Sequence, residues 1–249
     1  MNLAQQLNRI DSLKKQIAEL RPLSISEVQR LREEFIIESS YNSNAIEGNT
    51  ITLRETVLIL KEGITIAEKP IREHLDIIGF KDAFNYIYGL VANNEPLSER
   101  VIKDIHSLVL MSNAENRGVY RKIPVRILGA ENEPTAPYLI AEEMARLLVN
   151  YQEKLTTHHP LMAIAWLHLA FESIHPFIDG NGRTGRLLLN FELLKQGYLP
   201  VDIKFTDRAK YYQCFDEYHR NQQSENALLT LITGYEIKEM ERYLAILGK

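Results

Sequence analysis

Apolar residues recur at helical spacing along most of the chain. Leu3, Leu7, Ile10, Leu13 and Ile17 share one face of a first segment, which Pro22 ends. Ser24 with Glu27 forms a capping box that opens a second helix, with Val28, Leu31 and Phe35 on one face, running to Glu47 and stopping at Gly48. Thr52 with Glu55 repeats the signature and starts a helix reaching about Lys61. The periodicity predicts a long amphipathic helix over 71–92 and another from Pro96-Leu-Ser98 to about Met111. Gly118, Pro124, Gly129, Pro134 and Pro137 then interrupt the pattern, with Val125, Ile127 and Leu128 between them, and predict a short β-hairpin flap over 118–138. Helical spacing resumes at about 140–152, 160–175, 183–196, 207–221 and 224–247. The fold class is therefore all-α with one β-flap, without repeats or a flexible linker.

Composition narrows the setting. Of 249 residues 45% are hydrophobic and 25% charged, enough apolar side chain for a sizeable core. A net charge of −4 argues against nucleic acid as a partner. A lone cysteine, Cys214, forms no internal disulfide and suits a reducing compartment. The start of the chain lacks the basic and apolar stretches of a signal peptide, and no apolar run approaches the roughly 20 residues of a membrane span. The expectation is a cytoplasmic protein with no membrane partner.

The chemistry concentrates after the helix at 160–175. Pro176 disfavours helical geometry at His175 and so places that histidine at the mouth of a loop. Asp179-Gly180-Asn181-Gly182 follow, and a helix begins near Arg183. Two glycines permit the dihedrals that aim successive N–H groups at one point, and a helix N-terminus behind them adds donors and partial positive charge, which makes a phosphate site. Arg183 and Arg186 oppose the helix dipole unless a polyphosphate lies there. Asp179 offers an oxygen ligand for Mg²⁺ shared with phosphate, Asn181 an amide donor to a phosphate oxygen, and His175 a base for an attacking hydroxyl. The bland reading, an interhelical turn with a capping Asp and two surface arginines, fits any one residue better than it fits the set.

His175-Pro-Phe-Ile-Asp179-Gly180-Asn181-Gly182-Arg183-Thr184-Gly185-Arg186 resembles the Fic signature, His-Pro-Phe-x-Asp/Glu-Gly-Asn-Gly-Arg-x-x-Arg, at every position. The resemblance extends over roughly 25–245 and implies a Fic-type helical core, with AMP moved from Mg·ATP to a Ser, Thr or Tyr hydroxyl of a target protein and pyrophosphate released. It implies His175 as base, Asp179 as Mg²⁺ ligand, Asn181 as α-phosphate contact, and Arg183 and Arg186 as holders of the β- and γ-phosphates, with Thr184 and Gly185 between them in the nucleotide site. Relatives that phosphorylate instead carry Lys at the position of Gly182. Arg126, Ile127, Leu128 and Gly129 match the edge of the family's target-docking hairpin, so the target is expected at the 118–138 flap. Tyr211 and Tyr212 match an aromatic pair flanking the base, and His219 stands where many relatives have Asn, which leaves base selectivity open. His168 reads as a structural histidine.

Ser43-Asn-Ala-Ile-Glu47-Gly48 has the form Ser/Thr-x-x-x-Glu-Gly/Asn, with Ser43 and Glu47 on one helical face. A capped helix end accounts for Gly48, but not for a carboxylate at the negative end of the dipole. In Fic proteins this motif is inhibitory, and the resemblance implies that Glu47 pairs with Arg186. It divides the chain into 1–95, carrying the inhibitory motif 43–48, and 96–249, the catalytic core with its C-terminal helices, packed as one unit; a homodimer is compatible with this. The same Glu47 could instead orient water for removal of AMP from a modified protein. A non-catalytic nucleotide-sensing module is disfavoured because no signature position is substituted, and a DNA-binding regulator because the chain ends at Lys249 without a winged helix.

Overall fold

Local capping sets where the N-terminal helices begin. The computed structural model describes residues 1–20, 23–127, 133–222 and 224–247. The first helix, α1 (Leu3–Glu19), opens on an Asn2–Gln5 capping box; Pro22, expected to end it, lies outside the described residues. At α2 (Ile25–Ile46) the Glu27 amide donates to Ser24 Oγ at 3.3 Å and the Ser24 amide to Glu27 Oε2 at 2.7 Å. At α3 (Leu53–Val57) the Thr52–Glu55 box closes in the same way at 3.3 and 2.8 Å. A π-helical turn, Leu58–Glu62, continues it to Gly63, whose φ of 67° ends the segment. Then come α4 (Ile71–Ala92), α5 (Glu99–Val109), α6 (Ile140–Thr157), α7 (Pro160–Ile174), α8 (Asn181–Lys195), α9 (Arg208–Arg220) and α10 (Asn226–Leu247).

The centre is α8, buried continuously from Arg183 to Leu193. Helices α4, α5 and α7 pack around it, and α7 is itself apolar on nearly every face, the pattern of a helix with no solvent side. N-terminal helices join the same core: α1 packs on α10 and α2 on α4, and Ile10, Leu13, Ile36 and Ile46 belong to one apolar cluster with Leu187 and Phe191. Two polar side chains inside it, Asn190 and Tyr151, are paired. Asn190 receives the Val201 amide at 2.7 Å and donates to the Val201 carbonyl at 3.0 Å, and Tyr151 donates to Glu192 at 2.6 Å. No helix among the described residues is long and apolar enough to cross a membrane.

The expected β-hairpin flap is not seen among the described residues. Among the described residues of the segment 118–138 none lies in a strand, and residues 133–136 lead into a 3₁₀ turn, Pro137–Leu139. Its prolines remove amide donors that a ladder needs. A side chain closes the segment instead. The buried Arg121 guanidinium donates to the carbonyls of Ile123 (3.0 Å) and Thr135, drawing the two ends together without strand pairing.

Candidate active site

The loop after α7 begins with a backbone inversion. Pro176 stops the helix, and His175 turns left-handed, at φ 51°, ψ 59°, rather than extended. Arg121 holds that turn by donating to the His175 carbonyl at 2.8 Å, while its own amide donates to the Pro176 carbonyl at 2.9 Å. Burial, with the Arg121 charge adding to it, lowers His175 to about 4, so its imidazole is neutral and able to accept a proton at neutral pH.

The next residues fold around a stacked pair. Phe177 lies flat on His106 of α5, with centroids 3.6 Å apart. The Gly118 amide donates to His106 Nδ1 at 2.8 Å, which leaves Nε2–H to donate to the Asp179 carbonyl at 2.9 Å. Gly180 adopts φ 76° directly above, where a Cβ would sit 3.3 Å from Val109 and 3.4 Å from the His106 ring. Asn181 differs from expectation. Its Oδ1 accepts the Phe177 amide at 2.9 Å and its Nδ2 donates to the Phe177 carbonyl at 2.9 Å. The side chain staples the loop, so in this state the amide expected for phosphate is engaged. The N-terminus of α8 still opens on the loop, with the anion-favouring end of its dipole.

Arg183 and Arg186 are not surface residues. Their side chains are 3% and 4% exposed, and both meet the N-terminal region. Arg186 donates to Ser43 Oγ (2.9 Å), to the Ser43 carbonyl (2.8 Å) and to Glu47 Oε1 (2.8 Å). Glu47 caps the C-terminus of α2, and Gly48 beside it takes φ 95°. Gly182 faces this pair so closely that a Cβ there would lie 2.2 Å from Glu47 Oε1. Arg183 pairs with Asp76 of α4 at 2.8 Å and with Asn44 at 3.4 Å. Asp179 is 43% exposed; Oδ1 accepts the Gly180 amide at 2.6 Å and Oδ2 accepts Arg72 Nη2 at 2.7 Å. Among the described residues no three His, Cys, Asp or Glu side chains cluster as a metal cage. A cation at Asp179 would share its shell with phosphate and water, which is coordination that suits Mg²⁺.

Behind His175 lies Glu172, its side chain 11% exposed, with Oε1 buried and lacking a hydrogen-bond partner and Oε2 3.9 Å from His175 Nδ1. Burial, reinforced by the charge of Glu47 and opposed by Arg186, raises it to about 8, so it is largely protonated at neutral pH. Gly185 makes room for it. A Cβ at 185 would lie 2.2 Å from Glu172 Oε1 and 3.0 Å from the His168 ring. Helix propensity alone would favour alanine there by about 1 kcal/mol. The expected outcome for Gly185→Ala is the reverse, a net loss of about 1–3 kcal/mol from overpacking, read as a lower urea midpoint at unchanged slope; an equal or higher midpoint would show that Glu172 can move.

The aromatic pair divides. Tyr211 is buried, accepts from Arg186 Nη1 at 3.4 Å and hydrogen-bonds His168 Nε2 at 2.8 Å, so it belongs to the arginine's packing. Tyr212 is 37% exposed and donates to the Ile46 carbonyl at 3.2 Å. His219 meets Ser173 at 3.3 Å. Arg126 is exposed and Ile127 half-buried; Leu128 and Gly129 lie outside the described residues. Sequence reading missed Arg72, Asp76, His106, Arg121 and Glu172. Only Glu172 carried a local signal, a carboxylate on an otherwise apolar helix.

Comparison with known proteins agrees with this geometry. A model of the Fic/DOC family matches residues 96–193. The protein adenylyltransferase Fic of Nematostella vectensis is 33% identical over 219 residues, 86% of this chain and 50% of that protein; the chain spans about half the length of the curated relatives it matches. A Fic domain-containing signaling protein from Bacteroides thetaiotaomicron superposes with a TM-score of 0.84 at 25% identity, covering 95% of this chain and 94% of the other. Fic-1 of C. elegans (residues 134–508) gives 0.85 at 27%, covering 99% and 73%. With the signature loop folded between α7 and α8, this chain belongs to the Fic/DOC family.

Proposed function

We propose that this chain transfers AMP from Mg·ATP to a hydroxyl of a target protein, and that Glu47 holds it inactive in the state described above. One observation carries the reading: a neutral histidine, a helix N-terminus and two buried arginines converge on one loop. The names of the relatives support the same chemistry. His175 accepts the proton of the attacking hydroxyl as its oxygen bonds to the α-phosphorus, and the bond to pyrophosphate breaks. Arg183 and Arg186 orient the outgoing phosphates, and positioning of this kind is most of phosphoryl-transfer catalysis. Mg²⁺, held by Asp179 together with phosphate oxygens, would neutralise charge on the leaving group. The target lies along 118–138, where Val119, Ile123 and Tyr138 are 47, 58 and 83% exposed.

The test uses ATP labelled at the α- or the γ-phosphate, with cell lysate and Glu47→Gly protein. The α-label should enter protein and the γ-label should not; EDTA or Asp179→Ala should abolish incorporation, since no other carboxylate lies in the loop. Transfer of the γ-label alone, or equal incorporation with and without metal, would overturn the reading.

A further inference from the structure

Arg72, like Glu47, reaches the polar groups of the signature from the N-terminal region. Arg72 and Asp76, one turn apart at the start of α4, form a closed ring of alternating charge with Asp179 and Arg183. The distances around it are 2.7 Å from Arg72 to Asp179, 3.5 Å from Asp179 to Arg183, 2.8 Å from Arg183 to Asp76 and 3.9 Å from Asp76 to Arg72. The ring is graded in depth. Arg183 and Asp76 are buried, and separating them would strand a charge inside the protein, at high cost. Arg72, 63% exposed, and Asp179, 43% exposed, form the solvent side, where an ion pair opens at little cost. Arg72 also lies in the first turn of α4, at the end of a helix that disfavours a cation, and no side chain caps that end. Its placement is locally unfavourable, and Asp179 compensates it.

We infer that Arg72 competes with the divalent cation for the Asp179 carboxylate, so that the first turn of α4 sets the metal affinity of the site, independently of Glu47. The inference rests on the reading of the loop as a nucleotide and metal site. Asp179 fits the metal because it is the half-exposed carboxylate of the loop and its present partner on Oδ2 is an exposed side chain. Arg72 acts as a positioning residue, holding Oδ2 toward α4 while the site is metal-free. When a cation takes that oxygen, Arg72 swings to solvent or toward Asp76, and the buried Arg183–Asp76 pair stays in place. The two restraints touch different groups, Arg186 and Asp179, so their effects should be additive.

The experiment measures free Mn²⁺ by its paramagnetic resonance signal, with full-length protein and adenylyl imidodiphosphate, so that no turnover is involved. Arg72→Gln should tighten Mn²⁺ binding about two- to fivefold, the range set by one exposed ion pair, and by the same factor in wild-type and Glu47→Gly backgrounds. Arg72→Lys should remain near wild type, and melting temperatures should move little, since the side chain is exposed. Unchanged or weaker Mn²⁺ binding by Arg72→Gln would overturn the inference, as would a gain confined to one background. Asp179→Ala is the control for the site itself. If it binds Mn²⁺ as well as wild type, or if no protein takes up Mn²⁺ with nucleotide, the reading of the loop fails and this inference falls with it.

Discussion

Glu47→Gly should raise the initial rate of AMP transfer roughly ten- to hundredfold, the scale of one charge-assisted hydrogen bond to a buried guanidinium. Glu47 Oε1 takes Arg186 Nη2 at 2.8 Å, the donor proposed above to hold the outermost phosphate of ATP. Removing the carboxylate frees the donor at little structural cost, because Arg186 keeps Ser43 Oγ, the Ser43 carbonyl and Tyr211. Removing the arginine works the other way. Arg186→Ala leaves the triphosphate without an anchor, and it also strips partners from groups buried around it at a stability cost of about 3–5 kcal/mol. The two substitutions break one ion pair and should act in opposite directions on rate. Measuring rate and melting temperature for both separates inhibition from simple stabilisation: a Glu47→Gly protein that is destabilised and no more active would leave the pair a structural salt bridge.

In a Glu47→Gly background, loss of the proposed base, His175, should lower transfer by about 10²–10⁴-fold. The variant matters. His175 is left-handed at φ 51°, where alanine is strained by about 1–2 kcal/mol and asparagine is tolerated. His175→Asn therefore removes the base while keeping the turn, and His175→Ala adds a small loss of stability that should be subtracted. The pH profile gives a sharper test. With the free imidazole lowered to about 4 by burial, its neutral form persists well below the usual histidine range, so the acid limb of kcat/KM should fall near pH 4. Bound polyphosphate places negative charge beside the ring and favours its protonated form, so the acid limb of kcat should lie higher. Coincident limbs near the ordinary histidine value would mean that burial does not lower the imidazole in the working enzyme.

Helices with local start signals were legible in the sequence. The Ser24–Glu27 and Thr52–Glu55 boxes both close as read, and α4 runs from Ile71 to Ala92. The π turn at Leu58–Glu62 had no comparable signal, since Leu-Ile-Leu is apolar whichever way the backbone winds. For the flap, apolar residues between glycines and prolines suggested a hairpin, whereas among the described residues one guanidinium joins the Ile123 and Thr135 carbonyls and no strand is seen. Within the loop, residue types indicated phosphate chemistry, yet not that Asn181 is engaged with Phe177. Arg72 and Arg121 were unreadable for a shared reason. Each is an ordinary charge in its own segment, and Arg72 acquires meaning only beside Asp179, 107 residues away.

The Arg121 clamp separates two things that evolution would otherwise have to change together. One side chain fixes the His175 carbonyl and both ends of the segment between Ile123 and Thr135. What lies between those ends can lengthen, shorten or change composition while the catalytic turn stays anchored, because closing a longer loop costs only about 0.6 kcal/mol per doubling of its length. On the function proposed above, the reaction centre and the recognition surface would be separable parts joined at one guanidinium, and a new client protein could be accommodated by rewriting a surface segment alone.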